Sequence, residues 1–95
     1  MSDPSLVLVE FAASLRRHVA CGPQEVPCGS LRQVLDAALA SAPAALAPYV
    51  LDDQRCVRKH VAVFINHSLV LDRQNLDQQL QPGDRVLVIQ ALTGG

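Results

Sequence analysis

Only one stretch of this chain carries a clear helical stripe, and that stripe needs a sheet to cover it. Gly29-Ser30 opens the stretch and Pro43 closes it. Ser30 is a good N-cap, and Gln33 three residues later completes a capping box. Leu31, Val34, Leu35, Ala38 and Leu39 then recur at helical spacing and form one apolar face. Pro43 supplies no amide hydrogen and clashes with the preceding turn, so the helix stops there. A lone amphipathic helix cannot bury its own stripe, so the rest of the chain must supply a second layer.

The flanking segments read as that layer. Leu6 to Phe11 (LVLVEF) is short, apolar and rich in β-branched residues, with Val7, Val9 and Phe11 on one face. Gly22-Pro23 marks a turn, and Gln24 to Cys28 follows as a weaker strand in a hairpin with the first. Pro27 confines that strand to an edge. Pro43 to Leu51 holds a further short turn or helix bounded by Pro48, and Asp52 to Lys59 is polar enough for a loop. Val61 to Ile65 (VAVFI) is the strongest strand. Asn66-His67 is a tight turn, where Asn tolerates positive φ, and Leu69 to Leu71 returns from it. Leu76 and Leu80 anchor a connecting segment. Pro82-Gly83-Asp84 is a turn in which Pro presets φ and Gly accepts the left-handed conformation. Arg85 to Gln90 (RVLVIQ) is the last strand. One helix on a mixed sheet of four to five strands is an α+β arrangement, the β-grasp. Residues 1–90 make that domain, and residues 91–95 form a flexible tail.

Bulk properties narrow the function. A 95-residue chain is one domain by default, with roughly two thirds of its unfolded surface buried. That is enough for a core and too little for a deep cavity. With 18% charged residues and a formal net charge of -1, nothing resembles a nucleic-acid footprint. Cys21, Cys28 and Cys56 are odd in number and irregular in spacing, against a disulfide framework. They lack the partners for a zinc or iron–sulfur set. His18, His60 and His67 are scattered, so no metal site is expected. Met1-Ser2-Asp3-Pro4 is not the start of a signal peptide. No apolar run approaches the ~20 residues of a membrane span. The expected setting is the cytoplasm, with reduced thiols. No nucleophile, base and orienter occur together as a motif, so catalysis by the chain alone is not expected.

The tail is the feature that points outward. Two terminal glycines cost entropy if ordered and pack no side chain. They make sense where the backbone must thread a narrow channel and approach a nucleotide closely. A carboxylate there is a poor acyl donor until activated, for instance as a mixed anhydride with AMP.

The strand RVLVIQ after PGD, and ALTGG at the last residue, resemble the signature of the ThiS/MoaD sulfur carrier family. VAVFINH resembles its central strand and turn, and FAASLRRH its first strand and the turn leaving it. The segment LDDQRCVRKH resembles the longer members, such as the carrier of protein-bound cysteine synthesis and the small subunit of molybdopterin synthase. Asn66-His67 stands where the family often has Asn-Gly, and Cys56 where it often has Gly. Neither touches the chemistry.

The resemblance implies a carrier, a recycled cosubstrate with no cofactor of its own. An adenylating enzyme related to the ubiquitin-activating enzymes would spend ATP to form an acyl-adenylate on Gly95. Sulfide would convert it to a thiocarboxylate, and a second enzyme would accept the sulfur. A sulfur donor and a processing protease are further partners the resemblance allows. Gly95 is then the reactive position, Gly94 gives access, and Thr93 belongs to the threading tail. The alternative is a ubiquitin-like modifier joined through Gly95 to target lysines.

Strand alternation supplies the docking surface such a carrier needs. If Val7, Val9, Phe11, Val61, Val63, Ile65, Val86 and Val88 face the helix, then Leu8, Phe64 and Leu87 face outward near the tail, and Ile89 shares their parity. An apolar patch of that kind marks an interaction site, unless the central loop folds over it. Arg16-Arg17 and Arg58-Lys59 are short basic runs, read as solvated charge or as steering groups.

Overall fold

The structure is a computed structural model, and it describes residues 5–90. The tail assigned to residues 91–95 lies outside the described residues. In chain order the elements are β1 (Leu6–Phe11), α1 (Ala13–Arg16), β2 (Gln24–Pro27), α2 (Leu31–Ser41), a 3-10 turn (Ala44–Leu46), α3 (Ala47–Val50), β3 (Val61–Ile65), β4 (Ser68–Leu69) and β5 (Arg85–Gln90). The sheet runs β2-β1-β5-β3-β4. β1 and β5 pair in parallel, and every other pairing is antiparallel. This is the mixed β-grasp sheet with α2 packed across one face.

Residues of one parity in each strand make the core. Val7, Val9 and Phe11 of β1, Val61, Val63 and Ile65 of β3, and Val86 and Val88 of β5 are all buried. They meet the five stripe residues of α2, likewise buried. Deleting one such side chain leaves a void that a close-packed interior refills only in part.

The start of α2 shows how the long connections are held. A helix leaves its first four N–H groups without intrahelical partners. Here Gln33 N–H donates to Ser30 Oγ at 3.2 Å, and the Gln33 side chain accepts from Ser30 N–H at 3.0 Å, completing the capping box. Leu31 and Arg32 N–H donate to the carbonyls of Gln78 and Leu76, each at 2.8 Å, and Val34 N–H to Ser30 O. The segment between β4 and β5 is therefore tied to the helix. Leu76 and Leu80 are its buried anchors.

Asp72 shapes that segment by accepting the N–H groups of Gln74, Asn75 and Leu76. These bonds, Gln74's foremost, hold its carboxyl below the usual carboxylate range. Leu76 keeps a positive φ of 53° within this loop.

The turns follow their residues. Asn66 and His67 have φ of 48° and 73°, the pattern of a two-residue hairpin turn. Gly83 has φ of 87°, the left-handed conformation its place after Pro82 requires.

Some boundaries differ from the sequence expectation. The turn after β1 contains the one-turn helix α1, because Leu15 and Val19 are drawn into the core. β2 ends at Pro27, which sits opposite Leu6 on the sheet edge. Pro48 lies in the first turn of α3, where its missing N–H costs nothing, and does not bound it. The return strand is Ser68–Leu69, shifted toward the turn because Asn66-His67 closes in two residues. Among the described residues, no helix is long and apolar enough to cross a membrane.

Candidate functional site

The open face of the sheet is set by the register. Leu87 lies opposite Glu10 on one side and Phe64 on the other, and Phe64 lies opposite Leu69. Cross-strand partners share a face, so these four form one row across β1, β5, β3 and β4. Ile89 sits two residues further along β5, opposite Ala62. Leu87 is 38% exposed and Leu69 49%, while Phe64 and Ile89 are half-buried. Phe64, Leu87 and Ile89, together with Glu10 and Arg85, line a shallow groove of about 570 Å³.

Of the three residues singled out on this face, Phe64 and Leu87 are direct neighbours. Leu8 lies one row away, opposite Arg85 and Glu25, and does not line that groove. The central loop does not cover the row. Residues 52–56 close on themselves instead, and the N–H groups of Val57 and Arg58 donate to the carbonyls of Arg73 and Val50. Asp52 Oδ1 accepts the N–H groups of Gln54 and Cys56, each at 2.9 Å. Leu51 and Val57 form an isolated bridge.

Gln90 ends β5 and leads into residues 91–95. After Phe11 the chain turns away into α1, so β5 loses its parallel neighbour just before its own end. Ala12 N–H makes the last bond of that ladder, to Val88 O at 2.9 Å. Ser14 takes over: its Oγ accepts Gln90 N–H at 3.0 Å. Gln90 Oε1 lies 3.1 Å from His18 Nε2, a hydrogen bond when Nε2 carries the proton. The His18 ring stacks on Tyr49 of α3, with centroids 4.9 Å apart and planes within 12°. Ser14 and His18 thus hold Gln90, and Tyr49 backs the His18 ring.

Nothing local in the sequence marks Ser14, His18 or Tyr49 for this task. The two bonds join residues 76 and 72 apart. Ser14→Ala is expected to cost about 1 kcal/mol and to speed hydrogen exchange of the Gln90 amide about fivefold. Amide-resolved exchange, compared with the other β5 amides, checks this.

The remaining candidates stay apart. Cys21, Cys28 and Cys56 are free thiols. Burial pushes the Cys21 thiol up, against an opposing pull from Arg16. Among the described residues, no group of three His, Cys, Asp or Glu is placed to hold a metal ion. Thr93, Gly94 and Gly95 lie outside the described residues. What the described site offers is therefore a surface and an anchored exit.

The ThiS family model matches residues 9–95. Among solved structures, the chain superposes on SAMP1 (small archaeal modifier protein 1) from Haloferax volcanii with a TM-score of 0.78 and 19% identity, over 95% of this chain and 99% of that one. Urm1 from Trypanosoma brucei gives 0.69 and 22%, over the full length of both chains. A chain of the Amycolatopsis orientalis BexX/CysO complex gives 0.66 and 18%, over 94% and 99%. At these identities the likeness is one of fold. No curated protein sequence matches the chain.

Proposed function

Because the chain belongs to the ThiS family, we propose that it is a sulfur carrier whose reagent is the C-terminal carboxylate of Gly95. The observation that carries the reading is the reach of the family match, which runs through residue 95 and so takes in Thr93-Gly94-Gly95. A partner adenylating enzyme supplies the ATP chemistry. A carboxylate oxygen of Gly95 attacks the α-phosphorus and pyrophosphate leaves. Sulfide then attacks the acyl carbon of the adenylate, AMP leaves with its oxygen, and a thiocarboxylate remains. Transfer of that sulfur to an acceptor enzyme in cofactor, cysteine or secondary-metabolite synthesis, with water restoring the oxygen, returns the carboxylate. The chain is a cosubstrate in this cycle and binds no cofactor. The cytoplasmic setting belongs to the same reading.

The sheet face supports the reading by giving partners a place to dock beside the exit at Gln90. Leu87 is its centre, with Phe64 against it and Leu8 one row away. A charge at Leu87 would have to be desolvated inside a docked interface. Leu87→Glu is expected to lower kcat/KM for adenylation about tenfold, while folding stability falls by no more than about 1 kcal/mol, the cost of a like charge opposite Glu10 and of lost contact with Phe64. Steady-state kinetics beside urea denaturation separates the two.

A second reading draws on the name of one structural neighbour, a small archaeal modifier protein. There the same adenylate is captured by lysine amines of target proteins. Intact mass after incubation with ATP, sulfide and the cognate activating enzyme decides. Replacement of one oxygen by sulfur supports the carrier. High-mass adducts joined through Gly95 to lysine support the modifier and contradict the carrier.

A further inference from the structure

On the helix side of Gln90 lies a groove whose charge departs from the rest of the chain. Its walls include Tyr49, Arg58, Lys59, His60, Arg73 and Gln90, and it encloses about 710 Å³. The whole chain carries eight Lys and Arg against nine Asp and Glu. Among the described residues, the groove gathers Arg58, Lys59 and Arg73 against a single carboxylate, Asp52. One oxygen of Asp52 is already engaged by two backbone N–H groups, at 2.9 Å each.

Two of the cations are fixed by backbone contacts. Arg58 Nε donates to Pro48 O at 2.6 Å. Arg73 Nη1 donates to the carbonyls of Arg58 and Val61 at 2.7 and 2.6 Å. A guanidinium has five N–H donors, so each keeps others for a partner. Carbonyl contacts hold the groups without neutralising them. The nearby Arg55 differs, because its charge is matched by Asp36 in an ion pair. Cations held in position lose less entropy on meeting a carboxylate than free ones do.

The geometry points to a second docking surface: the groove of Arg58, Lys59 and Arg73 takes a carboxylate-rich segment of a partner protein. It lies on the helix side of Gln90, whereas the apolar row lies on the open face. A chain with both can present the same exit to two partners of different surface chemistry. Protein is favoured over single-stranded nucleic acid because the groove's aromatic ring, Tyr49, is already stacked on His18. A net charge of -1 also gives no field along which a phosphate backbone could track. The surface does not depend on whether Gly95 carries sulfur or joins a lysine.

The test is an amide-resolved NMR titration of the full chain with end-blocked hexaglutamate, and separately with oligothymidylate. The expected result is saturable shifts at Lys59, His60, Gln74 and Gln90 that weaken as salt rises from about 0.02 to 0.15 M. Lys59 is exposed, so Lys59→Glu alters charge without touching the core. It is expected to raise Kd about fivefold, while Arg85→Glu, the same charge change on the open face, alters it less than about twofold. The inference is overturned by equal effects of the two variants, by the absence of saturable shifts, or by tighter binding of oligothymidylate. Binding seen only once residues 91–95 are removed overturns it too, since the chain's own end would then be the occupant.

Discussion

Leu35→Ala is expected to lower the unfolding free energy by about 3 kcal/mol, within the range for a buried leucine cut back to its Cβ. Leu35 is fully buried at the centre of the α2 stripe. It belongs to the same core as Val7, Val9 and Val86 of the sheet. A domain of this size has a total stability on the order of 5–15 kcal/mol, so the loss shifts the ratio of folded to unfolded chain about a hundredfold. Leu71 provides the contrast, since it is 84% exposed. Leu71→Ala is expected to change stability by less than about 0.5 kcal/mol. Urea denaturation of the two variants checks both values. A loss below about 1 kcal/mol at Leu35 would mean that α2 is not packed as described.

Deleting Gly95 is expected to reduce ATP-dependent sulfur loading by about a thousandfold or more while leaving the fold unchanged. The core lies within residues 7–88, so the deletion removes none of it. It withdraws the terminal carboxylate by about 3.4 Å, the reach of one extended residue. Attack on a phosphorus centre needs its reacting atoms within about 3–3.5 Å and aligned, and a displacement of about 1 Å already costs roughly a hundredfold. Restoring the length with Ala in place of Gly95 separates reach from width. Partial activity of that variant would assign the loss to distance. Its failure would assign the rest to the narrow channel that a Cβ cannot enter. Loading measured by intact mass, with circular dichroism as a fold control, checks the outcome.

The fold was legible where local chemistry and global packing ask for the same residues. The capping box at Ser30 and Gln33, the stripe from Leu31 to Leu39, and the alternation in β1, β3 and β5 each state their burial directly. Asn66-His67 and Gly83 announce their turns in the same way, through residues that accept positive φ. Other features depend on distant parts of the chain. Helix α1 is four residues long, too short for periodicity to reveal. The left-handed Leu76 breaks the rule for its residue type. It sits where Asp72 gathers three N–H groups and where its own carbonyl caps α2.

The site divides along the same line. Strand parity was enough to put Leu8, Phe64 and Leu87 on the outward face. It could not say that Phe64 and Leu87 become neighbours while Leu8 falls one row away, because register between strands is settled by the whole sheet. The grip of Ser14 and His18 on Gln90 was beyond local reading for the same reason. So was the groove of Arg58, Lys59 and Arg73, whose third member comes from a separate segment.

In the proposed cycle Gly95 bears the reacting atoms and the body behind it is a handle. Fragment-level mass spectrometry of the chain, after treatment with ATP, sulfide and the activating enzyme, tests this most directly. The expected result is one oxygen exchanged for sulfur, confined to the C-terminal fragment and assigned to the carboxyl of Gly95. A Gly95 fragment left at its original mass, while the activating enzyme turns over ATP in the presence of the chain and sulfide, would overturn it.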